Sequence, residues 1–481
     1  MATRITIIGA GPGGYVAAVS AAQLGAEVTV IEQENVGGTC LNWGCIPSKI
    51  MITTAAMLED FHKAGTFGID LPEAAETGPR VNMDRLMARK EAVIGTQAKG
   101  IHDLFQHHKV RHLAGSASIK EPGKVRVRSA EGEETEVEWD RLIIATGTRP
   151  LEIPSLPFDG EAVLSSNDAL CLQSVPESIL IVGGGVIGCE FACMLSGLGA
   201  RVTVVEALSR LLPLPSVDEE CSKTLGREMK KKKIGFMVNK TVTGFDKADG
   251  RLKVSVGPSP FLKAPTERDK KPVTVEVEKI LVCIGRKPNS DKIGLENIGV
   301  QTDDRGWIIA DDRMRTHAEN VFAIGDILGP TKIMLAHVAS TEGEIAVENA
   351  LGGDRRMDYS VVPGGIFTAP EVANVGLTES QATAAGISVR ADTVLFRTLG
   401  KAQVIGDIAG QAKIISETDS GKVVGVHIIG PHATDLIAEG TLAVKMGATV
   451  TELAHTIHAH PTLAEVMLET ALKAIDRPIH G

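Results

Sequence analysis

The sequence predicts an α/β protein with two Rossmann-like dinucleotide-binding domains and a separate C-terminal α+β domain. A strand, a glycine-rich turn, a helix and a second strand ending in an acid follow one another from Arg4 to Glu32, and again from Ile179 to Glu206. The interval from the first glycine of the turn to that acid is 23 residues in both copies. After about Met357 strands and helices continue without such a turn, which indicates a further domain.

Length and composition exclude several classes of protein. The 481 residues suggest about three compact units. The net charge of −10 and the 3% aromatic content argue against a nucleic-acid or lipid surface. Seven cysteines, an odd number, do not form a disulfide framework in so long a chain. We therefore expect the protein to lie in the reducing cytosol. The apolar stretches 1–22 and 179–200 contain glycines, and Glu190 lies within the second, so we expect neither a leader nor a membrane span.

The glycines of the two turns have distinct physical roles. In each copy one permits the tight turn, one lets main-chain N–H groups approach a pyrophosphate, and one lets the helix pack on the strand. The helix N-terminus then attracts the phosphates. We therefore expect one bound dinucleotide per copy, at Gly9, Gly11 and Gly14 and at Gly183, Gly185 and Gly188.

The acids at the second strands of the two copies are placed to bind ribose hydroxyls. Each of Glu32 and Glu206 could instead be a solvated strand end. A carboxylate repels a 2′-phosphate, so Glu206 favours NAD(H) over NADP(H), although Arg201 and Arg210 lie close in sequence and act against this preference.

Each of the two copies is followed later in the chain by a further short strand that ends in a glycine turn. Leu142–Ala145 and Ile280–Ile284 are predicted strands that run into ATGTRP and GRKPN, where Gly147 and Gly285 allow close turns. Further on, FAIGD is expected to place Asp326 at a strand terminus, where it would bind a sugar or polyol or simply cap a helix.

The segment GGTCLNWGCIPSK places Cys40 and Cys45 beside the first dinucleotide turn. A zinc pair would need further ligands that the neighbourhood lacks, and buried structural thiols usually lie in apolar runs, so a redox disulfide is favoured. In a regular helix residues i and i+5 lie too far apart for this bond, so the helix must be distorted or end here. Lys49 would share the helical face of Cys45 and stabilise a thiolate or a reduced cofactor, or it is an exposed lysine.

The C-terminal segment HTIHAHPTLAE suggests an acid/base pair. Pro461 suits the first position of a helix and holds His460 at the helix entrance, where Glu465 can accept a hydrogen bond from one ring nitrogen. A histidine-rich metal site and a helix cap are the alternatives. His455 and His458 have no comparable partner in the sequence and receive no role.

The motifs together resemble the flavoprotein pyridine nucleotide–disulfide oxidoreductase family over nearly the whole chain. They are GAGPGGY at Gly9, GGTCLNWGCIPSK at Gly37, ATGTRP at Ala145, GGGVIGCE at Gly183, FAIGD at Phe322 and HAHPTLAE at His458. The chain is most similar to the branch that oxidises dihydrolipoamide. Mercuric reductases carry a C-terminal cysteine pair, whereas here no cysteine follows Cys283. Glutathione-type reductases use NADPH, whereas Glu206 at the end of the second copy favours NAD(H).

The resemblance implies FAD at the first turn and NAD at the second. The further FAD contacts it implies are Thr39, Lys49, Gly115, Thr146, Gly147, Asp326, Met334, Leu335, Ala336 and His337, and the further NAD contacts are Val242 and Gly285. It also implies that Glu190 pairs with Lys49, and that the protein is a homodimer in which His460 and Glu465 serve the active site of the partner subunit. The expected domains are 1–150 for FAD, 151–283 for NAD, 284–355 completing the FAD site, and 356–481 for dimerisation.

The reaction implied is the oxidation of protein-bound dihydrolipoamide by NAD+. His460 would remove a proton from a substrate thiol, the thiolate would attack Cys40, and Cys45 would be released beside the flavin. Lipoyl domains of a 2-oxo acid dehydrogenase or glycine-cleavage complex would be the partners. A reductase for another small disulfide and a flavin-binding structural subunit are the alternatives. Trp43 and two surface inserts, Leu71–Arg80 and Pro258–Pro272, depart from the family pattern.

Overall fold

A computed structural model describes residues 2–70, 78–248 and 250–481. The described residues form two compact units. The first comprises Met1–Ile50, Asp84–Leu151 and Gly285–Tyr359, and the second comprises Met51–Met83, Glu152–Ile284 and Ser360–Gly481. The bounds of the four domains expected from the sequence stay predictions.

The strands in chain order are β1 Arg4–Ile8, β2 Glu27–Glu32, β3 Arg111–Ala114, β4 Ser116–Glu121, β5 Lys124–Arg128, β6 Glu134–Glu138, β7 Arg141–Ile144, β8 Thr148–Pro150, β9 Val163–Leu164, β10 Ser178–Val182, β11 Arg201–Val205, β12 Gly235–Met237, β13 Lys240–Ala248, β14 Arg251–Pro258, β15 Val273–Val277, β16 Lys279–Val282, β17 Arg286–Pro288, β18 Val321–Ala323, β19 Gly364–Ile366, β20 Glu371–Gly376, β21 Val389–Leu395, β22 Gln411–Glu417 and β23 Val423–Gly430.

The α-helices are α1 Pro12–Gln23, α2 Gly38–Trp43, α3 Cys45–Lys63, α4 Met83–His107, α5 Ser166–Ala169, α6 Val186–Gly197, α7 Glu219–Lys231, α8 Glu267–Lys270, α9 Ala336–Ala350, α10 Glu379–Ala384, α11 Gly400–Ile405, α12 Ala433–Met446, α13 Val450–His455 and α14 Glu465–Ala474. Turns of 3₁₀-helix lie at Ala64–Phe67, Leu295–Ile298, Gly325–Leu328 and Phe396–Thr398. No helix among the described residues is long and apolar enough to cross a membrane.

The first unit is built on a five-stranded parallel sheet of order β18-β7-β1-β2-β3. Four of the five residues of β1 are buried, as expected for a central parallel strand covered on both faces. Helix α9 packs on α1 so closely that a Cβ on Gly343 would meet the Gly13 carbonyl oxygen at 2.7 Å. This close packing fixes the helix that follows the first glycine-rich turn.

The second unit repeats this arrangement. Its parallel sheet has the order β12-β11-β10-β16-β9, so β10 lies between β11 and β16 as β1 lies between β2 and β7. In each unit, three strands that form an antiparallel sheet come between two strands of the parallel sheet in the sequence. They are β4-β5-β6 in the first unit and β13-β14-β15 in the second. The duplication seen in the glycine spacing therefore extends over a whole domain.

The C-terminal part of the second unit is an antiparallel sheet of order β19-β20-β23-β22-β21. Helices α12 and α14 contact this sheet. Lys413 on β22 is buried and pairs with the Asp218 carboxylate at 3.1 Å, which ties the sheet to the start of α7. The predicted α+β character of this region is confirmed.

The two predicted inserts differ in what can be described. Of the insert Leu71–Arg80, residues 71–77 lie outside the described part of the chain. The insert Pro258–Pro272 contains the short helix α8, whose end is held by Lys240: its ammonium donates to the carbonyl oxygen of Lys271 at 2.9 Å and also to that of Asp269. Lys240 thus anchors the insert to β13.

Candidate active site

The first glycine-rich turn has no room for a side chain at the two positions where the sequence predicts that glycine is required. Gly9 has φ +103°, and a Cβ there would lie 2.3 Å from the Ala145 carbonyl oxygen. A Cβ on Gly14 would lie 1.9 Å from the carbonyl oxygen of Gly9. Gly11 precedes α1 and provides no capping side chain, so the first N–H groups of the helix are left for a ligand.

The second turn has the same construction. Gly183 has φ +106° and a Cβ there would lie 2.4 Å from the Cys283 carbonyl oxygen, while a Cβ on Gly188 would lie 1.9 Å from Gly183. Apart from its chain neighbours, no described residue comes within 4 Å of the corresponding position on Gly185, which precedes α6 without a capping side chain. The two turns therefore present similar open helix ends.

Glu32 closes the first turn as well as ending its strand. One carboxylate oxygen accepts the N–H of Ala10 at 2.7 Å, and the other accepts the N–H of Glu34 at 2.9 Å. Burial raises the pKa of Glu32, and these hydrogen bonds act in the opposite direction. The solvated strand end considered from the sequence does not describe this partly buried residue.

Glu206 makes the equivalent contacts in the second unit. Its oxygens accept the N–H of Gly184 at 2.5 Å and that of Leu208 at 2.7 Å. The two neighbouring arginines have other partners: Arg201 pairs with a glutamate on the surface, and Arg210 donates from Nη2 to two main-chain carbonyl oxygens. Of these three charged residues, Glu206 is thus the one whose side chain is held at the second glycine-rich turn.

The cysteine pair spans a break between two helices. Helix α2 ends at Trp43, Gly44 has φ −150° and ψ −104°, and Cys45 is the first residue of α3. The interruption confirms that the two residues cannot belong to one regular helix. Gly37 donates its N–H to the Ala10 carbonyl oxygen at 2.8 Å, so α2, and Cys40 with it, starts at the first glycine-rich turn.

The surroundings of the pair make the two sulfurs unequal. A hydrogen bond between the side chains of Cys40 and Cys45 and then burial raise the pKa of Cys40, while the charge of Lys49 lowers it. Arg286, whose pKa is lowered by burial, is close enough to Cys45 to interact with its charge, and Tyr15 is close to Cys40. Cys45 also begins α3, and a helix N-terminus favours negative charge at that position.

Asp326 lies in a 3₁₀ turn three residues beyond β18, rather than at the strand terminus that the sequence predicted. Thr148 Oγ1 donates to its Oδ2 at 3.1 Å, and Thr148 in turn accepts from Arg286 Nε at 2.6 Å. Burial raises the pKa of Asp326, and Arg286 lowers it. The carboxylate is therefore held by side chains from β8 and β17.

The predicted helix over Met334–His337 begins later than expected. Leu335 is the extended N-cap and α9 starts at Ala336, so Met334 and Leu335 precede the helix. The prediction was wrong for Met334 and Leu335, because a turn at 330–331 and an irregular stretch through Leu335 precede the helix, and the apolar pattern does not reveal them.

The other predicted dinucleotide contacts lie near the turns or on the sheets. Gly147 has φ +62° with open space around it, and the buried Thr146 Oγ1 has no hydrogen-bond partner among the described residues. Gly115 follows β3 and donates to the Glu32 carbonyl oxygen at 2.8 Å, and Thr39 lies in α2. An orphaned hydroxyl and open helix ends fit a bound dinucleotide.

In the second unit Val242 is a buried residue of β13, and Gly285 follows β16 with φ +137°. The strand that ends before Gly285 stops at Val282, two residues earlier than predicted.

Glu190 is buried in α6 and accepts the Phe367 N–H at 2.9 Å. Its pairing with Lys49 stays a prediction.

His460 and Glu465 form the predicted hydrogen bond. His460 Nδ1 lies 2.8 Å from Glu465 Oε1, and the histidine side chain is 76% exposed. Burial tends to raise the pKa of Glu465, but the Thr462 N–H and His460 outweigh it and lower the pKa. Helix α14 begins at Glu465 and not at Pro461, because the intervening residues form turns. His460 thus stands ahead of the helix with Nε2 directed away from its carboxylate partner.

The absence of a partner for His458, assumed from the sequence, is wrong. Its Nε2 lies 2.9 Å from Glu439 Oε1, and its side chain is only 5% exposed. Glu439 is on α12, nineteen residues away. This long-range contact holds the segment that leads to His460, and no local spacing could have revealed it.

Sequence reasoning assigned no role to several residues at the site. Tyr15 and Arg286 approach the cysteine pair, and Thr148 holds Asp326. Arg286 directly follows Gly285 in GRKPN, so its place beside a predicted ligand turn was the one available signal.

A reactive cysteine pair at a dinucleotide-binding turn, in a chain with a second such turn, defines a nucleotide-dependent disulfide oxidoreductase. The chain belongs to the family described as pyridine nucleotide-disulphide oxidoreductases, whose model matches residues 3–343. Residues 362–471 match the dimerisation domain of that family, which supports a homodimer.

Relatives of known name match the chain from end to end. It is 41% identical to dihydrolipoyl dehydrogenase of Bacillus subtilis (strain 168), with 100% of both chains covered. It is 39% identical to dihydrolipoyl dehydrogenase of Chlamydia muridarum (strain MoPn / Nigg), over 98% of this chain and 97% of that protein. Among solved structures, LpdA from Mycobacterium tuberculosis superposes with a TM-score of 0.88 at 29% identity, covering 98% of this chain and 99% of that one.

Proposed function

We propose that this protein oxidises protein-bound dihydrolipoamide to lipoamide and reduces NAD+ to NADH with release of a proton, with FAD and NAD(H) as cofactors. The observation that carries the proposal is the Cys40–Cys45 pair at the first glycine-rich turn. The full-length similarity to dihydrolipoyl dehydrogenases supports the choice of substrate.

The thiol chemistry is divided among six residues. His460, oriented by Glu465, takes the proton of one substrate thiol, and the thiolate attacks Cys40 in the disulfide. The bond to Cys45 breaks and Cys45 leaves as a thiolate. The second substrate thiol then displaces Cys40, so the substrate becomes a disulfide and the enzyme a dithiol. Arg286 stabilises the charge on Cys45, and Lys49, whose charge lowers the pKa of Cys40, adds positive charge beside the pair.

The binding residues follow from the two turns. Gly9, Gly11 and Glu32 would hold FAD, with Asp326 and Thr146 as polar partners. FAD, when bound, supplies the two-electron transfer between the dithiol and the nicotinamide. For NAD(H), the open end of α6 and the carboxylate of Glu206 would hold phosphate and ribose, and Val242 and Gly285 would line the site.

We place the working protein in the cytosol as a homodimer, in which His460 and Glu465 complete the site of the partner subunit. Its macromolecular partners would be lipoyl domains of a 2-oxo acid dehydrogenase or a glycine-cleavage complex. The cysteine usage expected in a reducing compartment and the dimerisation domain support these assignments.

An anaerobic titration of the purified dimer tests the reaction. We expect dihydrolipoamide to bleach the flavin absorbance, and added NAD+ to restore it with formation of NADH. Parallel assays with glutathione and coenzyme A disulfides should give much slower turnover. A protein that binds flavin but reduces one of these disulfides faster than lipoamide would contradict the choice of substrate.

Replacing Glu206 by Gln should weaken NAD+ binding and relax discrimination against NADP+. A hydrogen bond to a charged group contributes about 1.5–3 kcal/mol, so we expect about a ten- to hundredfold rise in KM for NAD+. The ratio of kcat/KM values for the two nucleotides measures the change. Glu177→Gln, which removes an exposed carboxylate of the same unit, is the matched control. Unchanged discrimination in Glu206→Gln would refute the ribose contact.

A further inference from the structure

Glu342 is a buried carboxyl group in the middle of α9, which the reaction above does not use. The residue is 1% exposed. A carboxylate in such a position destabilises the fold unless its oxygens are satisfied by donors. Both oxygens have donors, and those donors come from separate segments of the first unit.

One oxygen of Glu342 fixes the turn that carries Asp326. Oε2 accepts the N–H of Gly325 at 2.6 Å. Gly325 has φ +73°, and a Cβ there would meet the Ala339 side chain at 3.2 Å. The main chain just before Asp326 is therefore held against α9 by the carboxylate.

The other oxygen of Glu342 accepts the hydroxyl of Tyr359 at 2.5 Å. Lys332 Nζ lies 4.7 Å from the centre of the Tyr359 ring, a distance at which a cation is attracted to an aromatic face. Lys332 lies at a bend in the segment that leads to Met334 and α9. Tyr359 thus holds this segment through its ring, and the Asp326 turn through Glu342.

We propose that Glu342 and Tyr359 are positioning residues of the FAD site, which together fix the segment 325–337. This inference rests on the proposed function, because that segment carries Asp326, Met334 and the start of α9, all predicted to contact the flavin nucleotide. Neither residue need touch the ligand: Glu342 sets the main chain before Asp326, and Tyr359 holds the segment that approaches α9.

The charges around the pair agree with this arrangement. Burial raises the pKa of Glu342 to about 7, opposed by the Tyr359 hydroxyl, the Gly325 N–H and Lys332, while Asp326 raises it further. Burial and the adjacent Glu342 raise the pKa of Tyr359. The tyrosine therefore keeps its proton at neutral pH, and where Glu342 is ionised its hydroxyl is the donor of this hydrogen bond.

The test is FAD binding by the full-length dimer carrying Tyr359→Phe, Glu342→Gln or both. Tyr359→Phe keeps the ring that faces Lys332 and removes only the hydroxyl. We expect each single variant to raise the FAD dissociation constant about tenfold, measured by the fluorescence of released flavin. The visible circular dichroism of the bound flavin should change, and the double variant should lose less than the product of the two single effects.

Glu344→Gln is the matched control, because Glu344 lies on the same helix, is about half exposed and lies 3.9 Å from its ion-pair partner Arg355. It should bind FAD as the wild type does. Thermal unfolding of the apoproteins separates a loss of FAD affinity from a general loss of stability. If Tyr359→Phe does not fold, Glu342→Gln and Lys332→Met carry the same test.

Wild-type affinity and an unchanged flavin spectrum in both single variants would overturn the positioning role. An FAD loss matched by an equal loss of apoprotein stability would also overturn it. A wild-type protein that binds no flavin would overturn the proposed function itself, so the two failures are distinguishable.

Discussion

Replacing Cys45 by serine is expected to abolish dihydrolipoamide oxidation while the protein still binds FAD. A hydroxyl cannot form the bond to Cys40 or leave as a stabilised anion, so the dithiol–disulfide exchange has no acceptor. We expect turnover to fall by about 10⁴-fold or more, as when a nucleophile is removed from other enzymes. The measurements are NADH formation from dihydrolipoamide and the visible flavin spectrum of the same sample.

Cys40→Ser should be equally inactive, because the substrate thiolate then has no sulfur to attack. Cys171→Ser, which changes an exposed cysteine of the second unit, is the control and should keep full activity. Wild-type turnover in either site variant would show that the two sulfurs do not relay electrons.

Replacing His460 by Gln should lower turnover by about 10²–10⁴-fold, the usual contribution of a positioned general base. Glutamine keeps a polar group near Glu465 but accepts no proton, so the substrate thiol is not activated. Glu465→Gln should have a smaller effect, since the imidazole remains and loses only its orienting carboxylate. Steady-state rates with dihydrolipoamide measure both effects.

His455→Gln is the control for the histidine substitution, because His455 is exposed and lies five residues away. Its turnover should match that of the wild type. If His460→Gln turns over dihydrolipoamide at the wild-type rate, the acid/base pair is a helix-end contact without a role in proton transfer.

Local spacing in the sequence was enough to predict the elements whose geometry is itself local. The glycines at positions 9 and 183 predict turns that no other residue could form, and the separation of Cys40 from Cys45 predicts a break in the helix, which Gly44 provides. Main-chain sterics act over a few residues, so the sequence reveals their outcome directly.

Helix starts were predicted less well. Pro461 and Met334 both precede the helices that they were expected to open or join, because turns between them and the helices have no distinct pattern. The partner of His458 was missed entirely, since Glu439 reaches it from another helix.

By itself the sequence determined the duplicated α/β architecture, the two nucleotide turns, the cysteine pair and the histidine–glutamate pair. Only the tertiary structure decided that Arg286 approaches Cys45, that Thr148 holds Asp326, and that a buried carboxylate and a tyrosine hold the neighbouring segment. The reason is physical: a turn depends on steric limits within a few residues, whereas the partner of a buried charge depends on which distant side chains the packed core brings within hydrogen-bonding distance.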